Sequence, residues 1–252
     1  MNNPSEFDEA TITDSSLTPS LSRASKLYDL ITHFASKQPV SEFYRWLNEL
    51  QGLAHEQSHK EQIRNFLAQS LKFGIQLFGN RKAFADMLFL LDELIFLHNK
   101  YFDSEQLTEH LAEGLTLAIQ CLRDSWDIEG TSALLDLLRT IAKKHSKNKK
   151  ILLQLARSYS NAIRRFCSDR KNFTCEKLLF EFRMFANQHR KNELIQYEFA
   201  QSIVSLIGIL VREGRKVELE RMMNELRKIT NRFPESQKIQ TLLNRALVLS
   251  SL

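Results

Sequence analysis

Few residues in this chain have the types and spacing that chemistry requires. His55-Glu56-Gln57-Ser58-His59 matches the H-E-x-x-H pattern of zinc hydrolases. In that chemistry two histidines on one face of a continuous helix hold the metal and the glutamate acts as general base. Cys167 and Cys175 lie eight residues apart without a C-x-x-C partner set, and Cys121 stands alone. Three cysteines without framework spacing read as thiols of a reducing compartment rather than as a secreted disulfide scaffold, so a cytoplasmic location is expected. Lys143, Lys144, Lys147, Lys149 and Lys150 crowd one short segment, a pattern that attracts anions. No Gly-rich phosphate loop, nucleophile elbow or pair of catalytic carboxylates accompanies them. Enzyme activity and a cofactor are therefore not expected.

The elements that position these residues follow from a repeat. Lines of 44 residues stack Ile63, Leu107, Ile151, Ile195 and Ile239, then Leu67, Leu111, Leu155, Phe199 and Leu243, then Leu71, Leu115, Tyr159, Ile203 and Leu247. A small-residue column runs through Ala68, Ala112, Ala156 and Ala200 and breaks at Asn244. A second block keeps the register, with Leu47, Leu91, Leu135, Leu179 and Met223, then Leu50, Leu94, Leu138, Phe182 and Leu226. Apolar spacings of three and four make each block one amphipathic helix. The helix with the Ala column is called A-type and the other B-type. Ala24, Leu27, Ile31 and Phe34 continue the A-type columns backwards.

The prediction is an all-α chain of about eleven antiparallel helices. Hairpins span about 20–56, 60–98, 104–143, 148–187 and 192–233, and a terminal helix spans 235–252. Together they form one domain from 20 to 252, preceded by a disordered leader over 1–19. Seven Gly and four Pro in 252 residues suit long helices with short turns. A lone hairpin offers roughly ten large apolar side chains at ~1.5–3 kcal/mol each, against ~1–2 kcal/mol for each backbone residue ordered. Hairpins must therefore stack. In this register the H-E-x-x-H segment falls in a B-to-A turn, where Pro234 stands in the last copy, so no metal site is expected. Ser58 with Glu61 and Asp103 with Gln106 have capping-box spacing and mark A-type helix starts.

The order of parts in Phe199-Ala200 to Val211, Glu213-Gly214-Arg215-Lys216 and Met222-Met223 to Phe233-Pro234 resembles an elongated tetratricopeptide repeat (TPR). A large-small pair, a tight turn, a second helix and a closing proline follow one another. The period is 44 rather than 34, and a HEAT-like array has a related construction. The resemblance implies a right-handed α-α superhelix, TPR-like, whose A-type outer stripe lines a concave groove.

That stripe reads Gln62, Gln69, Phe73, Gln76; Gln106, Glu113, Leu117, Gln120; Lys150, Arg157, Asn161, Arg164; and Leu194, Gln201, Ser205, Gly208. At ~8–10 Å between axes, six A-type helices span roughly 50 Å, enough for about 15 extended residues. From Gly130 to Lys191 there are 15 Lys and Arg against 4 Asp and Glu, so the middle of the groove should be cationic. The expected function is a protein-binding scaffold that holds an acidic or amidic segment at Lys150, Arg157, Asn161, Arg164, Gln201, Glu113 and Gln69. The alternative is a nucleic-acid-binding repeat protein that uses the basic 139–191 region. Leu242, Ala246, Val248 and Leu249 stand where earlier A-type helices mostly carry polar residues, so the terminal helix should be covered by a second copy, as a homodimer, or by another protein. The most apolar run, Ile203 to Val211, is about half a membrane span, so no membrane association is expected.

Overall fold

The structure is a computed structural model that describes residues 19–122, 128–168 and 172–251. The expected leader lies outside the described residues except for Pro19. Among the described residues eleven α-helices follow one another: α1 (Pro19–Asp29), α2 (Val40–Glu56), α3 (Glu61–Asn80), α4 (Phe84–Lys100), α5 (Glu105–Leu122), α6 (Ile128–Lys144), α7 (Lys149–Ser168), α8 (Asn172–Gln188), α9 (Glu193–Arg212), α10 (Lys216–Arg232) and α11 (Gln237–Ser250). No strand occurs among the described residues, and the fold is all-α. Odd-numbered helices are A-type and even-numbered ones B-type.

The 44-residue period is written into the backbone as well as the side chains. In the α2–α3 turn the Gln57 amide donates to the Leu53 carbonyl and the Lys60 amide to the Gln57 carbonyl. The same two bonds recur at Tyr101/Leu97 and Ser104/Tyr101, at His145/Ile141 and Asn148/His145, at His189/Phe185 and Asn192/His189, and at Phe233/Ile229 and Ser236/Phe233. All ten measure 2.8–3.3 Å. The residue that caps each following helix is therefore Lys60, Ser104, Asn148, Asn192 or Ser236, which corrects the starts expected at Ser58 and Asp103. Ser104 Oγ accepts from the Leu107 amide at 3.3 Å. Asn148 Oδ1 accepts from the Lys150 and Ile151 amides at 2.9 and 3.1 Å, and Asn192 Oδ1 accepts from Ile195 at 3.3 Å. Each satisfies amides that a helix start leaves without intrahelical partners.

Contacts divide the chain into two compact units, Met1–Ser70 and Leu71–Leu252. The boundary falls inside α3 rather than in a linker. In the first unit Ala24, Leu27 and Ile31 are buried as the register requires, but Phe34 is 50% exposed and Ala35 takes its place in the core. The cause is a π-helical turn at Leu30–Phe34, followed by a 3₁₀ turn at Ala35–Lys37. A π turn spends one extra residue per turn, which rotates the next side chains past the core. Pro39 then forces Gln38 into an extended conformation and ends the helical run. Phe43, Trp46, Leu47 and Leu50 of α2 complete this core, and Tyr28 stacks on Phe66 of α3 with centroids 5.3 Å apart.

From α4 onward each helix packs on the next in sequence, and α5, α7, α9 and α11 also pack side by side. Close approach is possible because the shared seam carries small residues. Ala112, Ala156 and Ala200 are fully buried, as are Ser158, Ser202 and Ala246 in the neighbouring column, while Gly114 sits with its Cα against Leu94. Among the described residues the B-type helices make no comparable backbone approach, and long side chains span them instead. Arg139 of α6 pairs with Glu181 of α8, and the same pair recurs 44 residues later as Arg183 of α8 with Glu225 of α10.

The A-to-B corners after α3 and α9 share one geometry: the Ala83 amide reaches the Phe78 carbonyl, and Arg215 reaches Leu210. This six-residue closure needs one left-handed residue, here Lys82 (φ 60°) and Gly214 (φ 66°). Only the glycine adopts it without strain.

Helix α9 is 20 residues long, and among the described residues it is the helix apolar enough to cross a membrane; 61% of its apolar window is buried. The packing of α7, α8, α10 and α11 around it accounts for that composition.

Candidate functional site

His55 and Glu56 end α2, and Ser58 and His59 lie in the turn. The two histidines of the H-E-x-x-H segment therefore share no helix face, and the segment cannot hold a metal in the hydrolase manner. Cys175 corrects the expectation of a thiol: it is fully buried and disulfide-bonded. The side chain of Cys167 lies outside the described residues. Framework spacing marks domains stapled by several bridges, whereas a single bridge needs only two cysteines within reach. Cys121 is half-buried and not disulfide-bonded.

Three A-type helices of the second unit build a cavity of about 500 Å³. Helix α5 contributes Glu113, Thr116, Leu117 and Gln120, α7 contributes Gln154, Arg157, Asn161 and Arg164, and α9 contributes Glu198 and Gln201. These positions converge because the small-residue seam sets the rotation of each helix about its axis. The side chains flanking the seam then open to the same side. Five of the seven expected groove residues meet here: Glu113, Arg157, Asn161, Arg164 and Gln201. Gln69 belongs to the unit that ends at Ser70 and is half-buried there.

Lys150 does not line the cavity. It lies at the start of α7, where its ammonium is 2.7 Å from Glu109, and that carboxylate raises the lysine's pKa. Burial alone would push Glu109 up, but the hydrogen bonds from Lys150 and Asn148 outweigh it and hold the carboxyl below its usual range.

Thr116, Gln154 and Glu198 line the cavity although the sequence reading left them out. The signal was present for Glu198, three residues before Gln201 on the same face of α9. Glu198 is the most consequential omission. Burial raises the pKa of its carboxyl, opposed by Arg157 and Arg164, and Arg157 Nε lies 3.9 Å away. Glu113 is paired with Lys72, and Arg164 Nη2 donates to Asn161 Oδ1 at 2.6 Å. The cavity is thus a mixed surface of two arginines, two carboxylates and four amides, where the charge count led to the expectation of a cationic middle. A count of charges registers their excess over 62 residues, not which helix face each one occupies.

Below the cavity Thr116 Oγ1 donates to the Ala112 carbonyl at 2.8 Å, and Ser158 Oγ donates to Thr116 Oγ1 at 3.0 Å. These bonds satisfy the hydroxyls inside the seam, where an unpaired one would cost about 1–3 kcal/mol.

His110 of α5 carries a pH dependence. Burial, aided by Lys72 and opposed by Glu113 and Glu109, lowers its pKa from 6.5 to about 4, and its Nδ1 has no partner among the described residues. Between these values the unfolded chain binds the proton and the folded chain does not. Stability is therefore complete near neutrality and is lost as pH falls from about 6.5 towards about 4. Allowing for partial solvent screening, the loss should be about 1–2 kcal/mol. Urea unfolding at pH 7.5 and pH 5 is expected to show it, and His110→Gln should remove that share of the slope. Equal slopes for the two proteins would refute the assignment.

The expected oligomer surface is corrected in part. Leu242 and Ala246 are buried, since α11 turns them towards α9. Val248 is exposed, Leu249 is half-buried, and Leu247, in a core column of the earlier repeats, is 42% exposed.

Comparison with models of protein families, with curated proteins and with solved structures found no match.

Proposed function

We propose that this protein is a non-enzymatic interaction scaffold. In this reading the cavity across α5, α7 and α9 is the central part of a TPR-like groove that holds an extended segment of a partner protein. The observation that carries it is the lining itself. Gln120, Gln154, Asn161 and Gln201 place four side-chain amides around one cavity, and an amide both donates and accepts. Such a set suits the alternating N–H and C=O groups of an extended backbone. Arg157 and Arg164 offer a fork to a carboxylate of the bound segment, and Glu198 and Glu113 complement an amide or cationic group beside it. The partner segment is therefore amidic or of mixed charge rather than uniformly acidic.

A displayed library of random peptides, selected on the purified protein, tests this reading. Enriched peptides should bind in solution, and the double variant Arg157→Glu/Arg164→Glu should lower their affinity at least tenfold while the far-ultraviolet dichroism stays unchanged. Enriched peptides that bind wild type and double variant equally would place the site elsewhere.

A further inference from the structure

A second cavity, of about 620 Å³, opens between the α6–α7 and α8–α9 turns. Ser146, Lys147, Lys149, His189, Arg190 and Lys191 are among its lining residues, with no carboxylate. Arg139, Arg183, Arg215 and Lys150, in the same unit, all reach carboxylates. The side chains of Lys147, Lys149, Arg190 and Lys191 have no ion pair or hydrogen bond among the described residues, and all four are exposed. Lys143 and Lys144, at the end of α6, extend the row outwards. Glu193, one residue beyond the Asn192 cap, is the nearest acid in sequence and does not line the cavity.

The neighbouring turn adds an aromatic. Phe102 occupies the position of Ser146 one repeat earlier, and its side chain is 67% exposed. The two turns are in contact, because Asn148 Nδ2 donates to Glu105 Oε1 at 2.7 Å. A row of unmatched cations across successive turns suits a linear polyanion better than a single phosphorylated side chain. An exposed ring at the end of that row supplies a stacking face. A concave site between turns suits a strand better than a flat bilayer surface.

We infer that this edge binds single-stranded nucleic acid without sequence preference, with backbone phosphates against Lys147, Lys149, Arg190 and Lys191 and one base against Phe102. The site is separate from the cavity across α5, α7 and α9, and either can fail without the other.

The test is fluorescence anisotropy of a labelled 20-nucleotide single strand of mixed sequence titrated with the full chain. Four phosphate contacts predict a fall of log K with log salt of slope about −2.8, from ~0.7 per contact. Lys147→Glu/Lys149→Glu should weaken binding about tenfold or more and flatten that slope. Phe102→Ala, at an exposed position, should weaken it about fivefold or more while leaving the slope unchanged. The control Lys177→Glu/Lys216→Glu makes the same charge change at exposed sites near the starts of α8 and α10, and it should stay within about twofold of wild type. Equal losses in the two double variants would overturn the site, since net charge alone would then govern binding. Tighter binding of the matched duplex would overturn the single-strand assignment, and so would capture by phosphatidylserine vesicles or a phosphopeptide without capture of the oligonucleotide.

Discussion

Phe182→Ala is expected to lower the unfolding free energy by about 3–5 kcal/mol, the range for deleting a buried phenylalanine. Phe182 of α8 is fully buried where α7, α8 and α9 meet. Its ring stacks on Tyr159 with centroids 5.0 Å apart and meets Phe199 edge-on at 5.2 Å. Tyr159 is fixed in turn by Arg139, whose Nε donates to the phenol oxygen at 3.0 Å and whose guanidinium lies 5.1 Å from the ring centroid. The cluster therefore couples two repeats, and alanine leaves a void where they meet. At roughly 2–4 °C per kcal/mol for a chain of this size, Tm should fall by about 6–20 °C. Phe182→Leu should lose a smaller share. A denaturation midpoint equal to wild type would show that these repeats do not share one core.

Ala156→Leu comes next, at about 1–3 kcal/mol or more. Ala156 is fully buried on α7, which has α5 on one side and α9 on the other, so the added atoms must push two helices apart. Asn244 holds the same column on α11 and is exposed. Asn244→Leu, a substitution to the same residue in the same register, should change stability by no more than about 0.5 kcal/mol. Comparison of the two urea midpoints isolates packing across the seam from helix propensity. A tolerated Ala156→Leu would mean that the A-type helices do not approach as closely as described.

Much of the fold was legible before any coordinates. Ile63, Leu107, Ile151, Ile195 and Ile239 are all fully buried, as one column of a 44-residue register requires. Burial on a helix follows from a periodicity that spacing reveals directly. The capping residues were less legible. Polar turns hold several pairs at capping-box spacing, and only the recurrent turn hydrogen bonds select Ser104, Asn148 and Asn192. Phe34 was misplaced because a π turn changes the number of residues per turn, and the apolar pattern before it gives no warning.

The candidate site divides in the same way. Arg157, Asn161, Arg164, Glu113 and Gln201 follow from the rule that the stripe opposite the core is solvated. Glu198, Thr116 and Gln154 depend on how far each helix is rotated about its axis, which Ala112, Ala156, Ala200 and the adjacent serines decide by letting backbones touch. Charge shows the boundary most plainly. The sequence alone determined that residues 130–191 carry an excess of cations and that eleven helices would alternate in a 44-residue rhythm. Only the tertiary structure decided that Lys150 and Arg139 meet carboxylates while Lys147, Lys149, Arg190 and Lys191 do not. Periodicity is a property of one helix, but pairing joins side chains about 40 residues apart, and the distance between them exists only once the helices have stacked.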